Sequence, residues 1–543
     1  MSTLSERVEA HAYRRRWLIL IVLCFSLLVI VLDNTVLNVA IPTIARDLGA
    51  DSSQLQWIVD GYTLVFAGLL LTCGSLGDRF GRRGALQLGL VMFGLGSILS
   101  AFADSSGQLI ATRAFMGVGA AFIMPATLSI ITNVFPGPER GKAIGFWAGT
   151  AGLAGVLGPV TAGFLLEHFY WGSIFLINVP IVAVGLLAGL FLIPTSKDPS
   201  APKLDPIGAL LSILGLSTLV YGIIEAPVQG WGDSTIVAAF LVGAFLLLVF
   251  FVWESRIDHP MLDVRFFKNP RFTAASNGVM LVFFAMFGSI FLITQYFQFV
   301  LGYSPLETGV RFLPWAAMMM FVSPLSARLV QHIGTKVVVG TGLLCVATAL
   351  TLLSGLDASS PYWPDVMWRM MLMAVGMGLT MAPATESIMG ALPRAKAGVG
   401  SAVNDTTRQV GGALGVAIVG SVLASTYGNQ VADFLRGKNV PTGVGQTIEH
   451  SPLGVALEAG AQIPGLAEAA TNGFIDGMHS GLLVAAGAAL LGALIAFVFL
   501  PARSGPPAAE PEFDRHGDAI PQSPPERSGS SGVPEPALES RRQ

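Results

Sequence analysis

The sequence predicts an all-α integral membrane protein with about fourteen transmembrane helices. Three observations predict it. The first is composition: 53% of the 543 residues are hydrophobic and 12% are charged, with a mean hydropathy of +0.66. A soluble domain carries about 25% charged residues. So few charges cannot cover a water-facing surface of this size, which excludes a soluble enzyme and a disordered chain. The second is the recurrence of apolar runs of about 20 residues, the length that spans a bilayer at 1.5 Å rise per residue. The third is that lysine and arginine collect on one side of those runs. The net charge of −3 offers no basic footprint for nucleic acid. Cys24, Cys73 and Cys345 lie singly in apolar runs. They read as small buried hydrophobes, not as a zinc site or a disulfide framework.

The runs centre on residues 17–39, 55–76, 85–103, 108–132, 142–166, 173–194, 206–225, 235–253, 272–300, 307–330, 337–355, 365–389, 399–425 and 478–500. The first is too long for a signal peptide and leads into Asp33 and Pro42 with no small-residue cleavage site. With the N-terminus inside, nineteen lysines and arginines fall on inner segments, against Arg46 and Arg311 on outer ones. The positive-inside rule therefore places both termini in the cytoplasm, which requires an even number of spans. Residues 426–476, with acids and several prolines, read as a long outer loop in which the stretch 453–461 could form a short surface helix. The tail from 502, rich in Pro, Ser, Gly, Glu and Arg, reads as disordered and cytoplasmic.

Between spans two and three stands Gly74-Ser75-Leu76-Gly77-Asp78-Arg79-Phe80-Gly81-Arg82-Arg83-Gly84. Its glycines allow close approach and a tight turn. Asp78 with Arg79, Arg82 and Arg83 can form a charged latch; the positive-inside rule explains the arginines but not the Gly and Asp spacing. The string resembles the G-x-L-a-D-r-x-G-r-k signature of the major facilitator superfamily. Span four carries Arg113-Ala114-Phe115-Met116-Gly117-Val118-Gly119-Ala120-Ala121, similar to the family's R-x-x-q-G-x-g-a-a pattern with Met116 in place of Gln. Gly145, Ala154, Gly158, Pro159, Ala162 and Gly163 in span five resemble the antiporter motif G-x8-G-x3-G-P-x2-G-G, with two glycines replaced by alanine. Span one ends in Leu32-Asp33-Asn34-Thr35-Val36-Leu37-Asn38-Val39-Ala40-Ile41-Pro42, and span thirteen opens with Gly398 to Gly412. Both resemble the fourteen-span drug:proton antiporter branch, and the resemblance covers about residues 15–500.

The resemblance implies the major facilitator fold: two six-helix bundles plus two inserted central helices. The expected division is a cytoplasmic arm 1–16, a bundle 17–196, an insert 197–256, a second bundle 257–501 that includes the outer loop 426–476, and a tail 502–543. A faint repeat supports two halves, since Gln331-His332-Ile333-Gly334-Thr335-Lys336 aligns with Asp78 to Arg83 but lacks the acid.

Ionisable groups in hydrocarbon are costly and mark function by default. Asp33 lies ~24 Å along span one from Trp17. Burial disfavours a charged carboxylate, which makes Asp33 a candidate proton carrier; the plainer reading is a helix-end acid at the outer interface. Asp405 and Arg408 share a helix face, either as a proton- or cation-binding pair or as a structural salt bridge. Arg113 needs a partner or must snorkel to headgroups; the resemblance implies a part in proton coupling. Glu386 is expected to pair with Lys396 or Arg394. Phe287, Phe291 and Tyr296, with Glu386, are candidates for lining an apolar substrate pocket, against a plainer role in packing.

No P-loop and no H-E-x-x-H occurs, so nucleotide-driven pumping, a cofactor and a metal are not expected. The resemblance implies a proton-coupled exporter of amphipathic, in part cationic, drugs in a bacterial cytoplasmic membrane, with small molecules, protons and the bilayer as partners. A monomer is expected. Export of an endogenous metabolite, lipid or self-made antibiotic stays open, and so does a non-transporting sensor or scaffold that binds through 426–476 or the tail.

Overall fold

In the computed structural model the described residues are 13–50, 52–197, 205–258, 260–436 and 463–501, with Leu453 and Leu457. The arm before residue 13, nearly all of the stretch 453–461 and the tail from 502 lie outside them. Fourteen helices are long and apolar enough to cross a membrane. They are α1 (Arg16–Leu48), α2 (Ser52–Phe80), α3 (Arg82–Ala101), α4 (Ser106–Val134), α5 (Gly137–His168), α6 (Ser173–Leu192), α7 (Pro206–Gln229), α8 (Ser234–Glu254), α9 (Pro270–Gln295), α10 (Pro305–Ile333), α11 (Thr335–Leu353), α12 (Met367–Gly390), α13 (Ala397–Arg436) and α14 (Leu466–Phe499). Among the described residues no strand occurs.

Local chemistry sets the helix starts. Ser105, Asp205, Asp233 and Asn269 each accept a backbone N–H from the first turn of α4, α7, α8 and α9. Ser304 and Glu307 form a reciprocal capping box at α10 with Pro305 in its first turn. Two glycines supply backbone that L side chains resist: Gly81, φ +120°, between α2 and α3, and Gly334, φ +85°, between α10 and α11. They occupy matching places in the sequence repeat.

Packing repeats as well. In the first half α2 and α3 pack on α4, α1 packs on α5 and α6, and α3 packs on α6. Eight helices later α10 and α11 pack on α12, α9 packs on α13 and α14, and α11 packs on α14. The halves meet along two seams, α2 with α13 and α5 with α10. Of the inserted helices, α8 packs on α7, and α7 packs on both α2 and α13.

The seams depend on small residues. A Cβ on Gly74 would lie 2.6 Å from the Gly398 carbonyl oxygen, and one on Gly145 would lie 2.7 Å from Pro324 Cα. Small residues let backbones approach where lipid gives no hydrophobic drive to associate.

One expectation is corrected. Both ends of the supposed loop 426–476 are helical, because α13 runs to Arg436 and α14 begins at Leu466. Tyr427, Val431 and Leu435 form a buried stripe on α13, and Leu466, Ala470 and Phe474 form another on α14. Gln430 Nε2 donates to Asp476 Oδ2 at 2.6 Å across the two helices. The two helices pack on each other through these residues.

A Gly74→Leu substitution should overpack the α2–α13 seam at a cost of about 1–3 kcal/mol. Thermal unfolding of the purified protein reads this directly: a lowered midpoint is expected, and an unchanged one would mean that the seam is not this close.

Candidate functional site

The first buried pair is built by four helices. Asp33 projects from α1 and Arg113 from α4, and both are essentially inaccessible. Arg113 Nη1 donates to Asp33 Oδ2. Arg113 Nε donates to the Ile58 carbonyl at 3.3 Å, and its guanidinium sits 4.4 Å from the Tyr62 ring centroid. Asn178 Nδ2 donates to Asp33 Oδ1 at 2.8 Å and lies 3.2 Å from Ser97 Oγ. Ile177, at φ −63° and ψ −26°, carries α6 on from Ser173–Leu176 into Asn178–Leu192. One guanidinium nitrogen, Arg113 Nη2, has no hydrogen-bond partner among the described residues.

The second pair lies in the other half. Arg408 Nη1 stands 3.8 Å from Asp405 Oδ1, one turn away on α13. Ser401 and Asn404 approach Asp405 at 3.4 and 3.3 Å. Arg408 leans on Trp147 of α5 and Phe283 of α9, 4.9 and 5.1 Å from their ring centroids. Its Nη2 also donates to Thr385 Oγ1 at 3.4 Å, so the acid, a hydroxyl and two π faces share the guanidinium. At 1.5 Å per residue Asp33 lies ~26 Å into α1 and Asp405 ~12 Å into α13, so the two pairs sit at different depths.

The latch residues form a third cluster at the seam. Asp78 accepts from Arg82 Nε at 2.8 Å, from Gly398 N at 2.9 Å and from Val399 N at 3.1 Å. It thereby caps the N-terminus of α13 across the seam, where the helix dipole favours an anion. Arg82 is buried and donates to the carbonyls of Arg394 and Ala395 at 2.8 and 2.9 Å. Arg83 Nη1 reaches the Ile193 carbonyl at 3.4 Å, and Arg79 stacks beside Phe80.

Glu386 does not pair with Lys396 or Arg394. It accepts from Arg140 of α5, with Nε at 2.8 and 3.0 Å from its two oxygens. Arg140 reads in the sequence as one more inner-side cation, and nothing local links it to an acid on α12. A cavity of about 430 Å³ opens beside this pair, lined in part by Arg271, Gln331, Thr335 and Glu386.

The remaining candidates separate. A Cβ on Gly158 would collide with Thr35, and Pro159 lies 3.1 Å from where a Gly309 Cβ would stand, whereas Gly163 has open space around it. Tyr296 is fully buried and donates to the Asp357 carbonyl at 2.8 Å, which fixes the turn after α11. Phe287 and Phe291 are partly exposed on α9 beside Gly412 and Gly420 of α13. On α9 the ring brought to a charged pair is Phe283. The sequence reading passed over Tyr62, Asn178, Trp147 and Arg140. Asn178 carried a signal, a lone amide inside an apolar run.

Two repeated six-helix halves, buried ion pairs and a seam that can be latched define a secondary-transporter architecture. The sequence profile of the Major Facilitator Superfamily matches residues 23–416, and the chain belongs to this family of transporters. It is 34% identical over 494 residues to the multidrug efflux pump LfrA of Mycolicibacterium smegmatis, covering 88% of this chain and 96% of that one. It is 32% identical over 494 residues to the tetracenomycin C resistance and export protein of Streptomyces glaucescens, with coverage of 89% and 91%. Among solved structures, the fold is similar to the human organic anion transporter TETRAN, with a TM-score of 0.58, 14% identity and coverage of 89% and 99%. It is also similar to the proton:xylose symporter XylE, with a TM-score of 0.56, 16% identity and coverage of 89% and 95%.

Removing one partner of a buried pair leaves the other charge uncompensated, at about 3–5 kcal/mol. Arg140→Ala and Glu386→Ala should each impair the protein, and the swap Arg140→Glu with Glu386→Arg should recover part of the loss. A double-mutant cycle on thermal stability checks this; additive losses would rule out a direct pair.

Proposed function

We propose that the chain is a proton-coupled antiporter that exports amphipathic small molecules, drugs and antibiotics among them, across the bacterial cytoplasmic membrane by alternating access. The observation that carries the reading is that each half buries one aspartate with one arginine, Asp33 with Arg113 and Asp405 with Arg408. A transporter needs groups that change charge inside the membrane, and such groups stay soluble in the fold only when paired. The relatives' names as resistance and export proteins support the same reading.

The end that carries Arg79, Arg82, Arg83, Arg140 and Arg394 is the more basic, and in this proposal it faces the cytoplasm with both termini. The ties of Asp78 and Arg82 to residues 394–399, and of Arg140 to Glu386, close that end. The conformation then corresponds to the outward-facing side of the cycle. The bundles 17–196 and 257–501 rock about the α2–α13 and α5–α10 seams, with 197–256 as the insert.

In the cycle a proton from outside neutralises Asp33 or Asp405. The freed guanidinium turns to Tyr62 and the Ile58 carbonyl in one half, or to Trp147 and Phe283 in the other. A neutral acid no longer attracts a cationic substrate, which leaves outward. Once the latch opens, the proton departs to the cytoplasm and the carboxylate is again available to substrate or arginine. Asp405 is the less tightly paired of the two, because its arginine is 3.8 Å away and lies against rings. Gly145, Gly158 and Pro159 keep α5 tight against α10 and α1, which restricts leak. Export of a self-made antibiotic is the second reading, favoured by a Streptomyces relative named for both resistance and export. Competition between candidate substrates separates the two.

Inside-out vesicles should accumulate a lipophilic fluorescent cation, and a protonophore should abolish the accumulation. Asp33→Asn and Asp405→Asn should each reduce it on the order of tenfold at normal membrane levels. Unimpaired proton-driven accumulation in both variants would remove the aspartates from the coupling role.

A further inference from the structure

The inserted helices carry two facing carboxylates, one buried and one half-buried, that the export cycle does not use. Glu254 ends α8, and Asp205 caps α7. Glu254 is 2% exposed. Its Oε2 accepts from the Leu262 backbone N–H at 3.2 Å, while no donor reaches its Oε1 among the described residues. That oxygen faces Asp205. A Cβ on Gly208 would collide with Asp205 Oδ2 and stand 2.6 Å from Glu254 Oε1, so the two acids share one small space above a glycine that leaves room for both. Asp205 has its own donors: Gly208 N at 2.9 Å and the Trp253 indole N–H, 3.1 Å from each carboxylate oxygen.

Among the described residues the groups around Glu254 supply no compensating cation. α7 contributes Asp205, and the segment after α8 contributes the Met261 and Leu262 backbone; among the described residues Asp205 is the charged group acting on it. α2 contributes Thr72 and Ser75, which line a cavity of about 160 Å³ with Asp205, Ala209 and Met261. Two ionised carboxylates that face each other in a largely buried space repel, and such a pair settles by holding one proton between its oxygens. Asp205 is the better acceptor, because two N–H groups already stabilise its charge. Glu254 Oε1, which no donor reaches, is the oxygen that would carry the hydrogen.

We propose that Asp205 and Glu254 form a proton-binding site on the inserted helical pair, distinct from Asp33 and Asp405. Its single proton bridges Glu254 Oε1 to Asp205 and ties the inner end of α8 to the start of α7. The cavity beside Thr72 and Ser75 gives that proton a route to water. The site sits against α2 one turn from Asp78, so its occupancy is felt next to the seam. Loss of the proton leaves two facing carboxylates and pushes the ends of α7 and α8 apart.

Trp253 is a built-in reporter, because its indole donates to the acid that shares the proton. The full chain, labelled with 5-fluorotryptophan in lipid nanodiscs, gives a fluorine resonance assigned by Trp253→Phe. The resonance should shift with pH between about pH 5 and 9. Glu254→Gln, which keeps an acceptor for Leu262 and donates permanently to Asp205, should hold it near the low-pH position and abolish the titration. Asp205→Asn, which removes the other carboxylate, should abolish it too. A wild-type resonance that does not move, or the same titration in both variants, overturns the site. So does a titration lost in His259→Gln but kept in Glu254→Gln. A shift induced at constant pH by sodium, potassium or calcium overturns the proton in favour of a metal ion. None of these readouts depends on transport, so failure of the export reading leaves the test intact.

Discussion

A charge inside hydrocarbon must meet its opposite there, and the architecture of this protein depends on how that requirement is met. An uncompensated buried ion costs several kcal/mol, more than any single helix contact returns. Asp33 therefore draws Arg113 from α4 and Asn178 from α6, which fixes those two helices against α1. Asp405 and Arg408 meet the same need within one helix, and Arg408 then leans across the seam onto Trp147. The first arrangement locks a half internally. The second ties a half to its neighbour through a contact that can be broken without stranding a charge, because π faces bind a cation weakly. That difference separates a pair that locks one half from a pair that reaches across the seam.

The seam follows the same logic with backbone in place of side chains. Asp78 satisfies the first N–H groups of α13, which would otherwise be orphaned at a buried helix start. Arg82 satisfies the carbonyls just before that start. One acid and one base thus complete a helix that belongs to the other half. When the halves separate, those backbone groups must find water, which is available only at the membrane surface. The latch therefore belongs at the end of the spans and not at their middle, and Gly74 and Gly398 bring the two backbones close enough for it to reach.

Much of this was legible in the sequence. Apolar runs and arginine placement give the helices, and the spacing of Gly74, Gly77, Asp78 and Gly81 is specific enough to name the family. The partnerships were less legible, because they are set by tertiary distance. Glu386 and Arg140 are 246 residues apart, and each has a nearer sequence neighbour of opposite charge. The extension of α13 to Arg436 was missed because glycine, serine and threonine around it mimic loop composition. Only the stripe of Tyr427, Val431 and Leu435 shows the helix, and the stripe gains meaning once α14 is there to cover it.

The insert is where these constraints converge. A pair of helices added between two pseudo-symmetric halves has no counterpart across the repeat, so nothing in the transport cycle requires charged groups within it. Yet α7 touches both α2 and α13, the two helices that make the latch seam. Asp205, which caps its start, faces Glu254, and among the described residues no cation acts on Glu254. A purely structural insert would be more stable with one acid replaced by an amide, since the facing carboxylates oppose each other whenever both are charged. Holding them together makes the packing of α7 depend on a proton, and α7 lies on the helices that separate when the seam opens. The position of the pair thus links the protonation of the insert to the stability of the closed end, through contact alone and without a group in the central pathway.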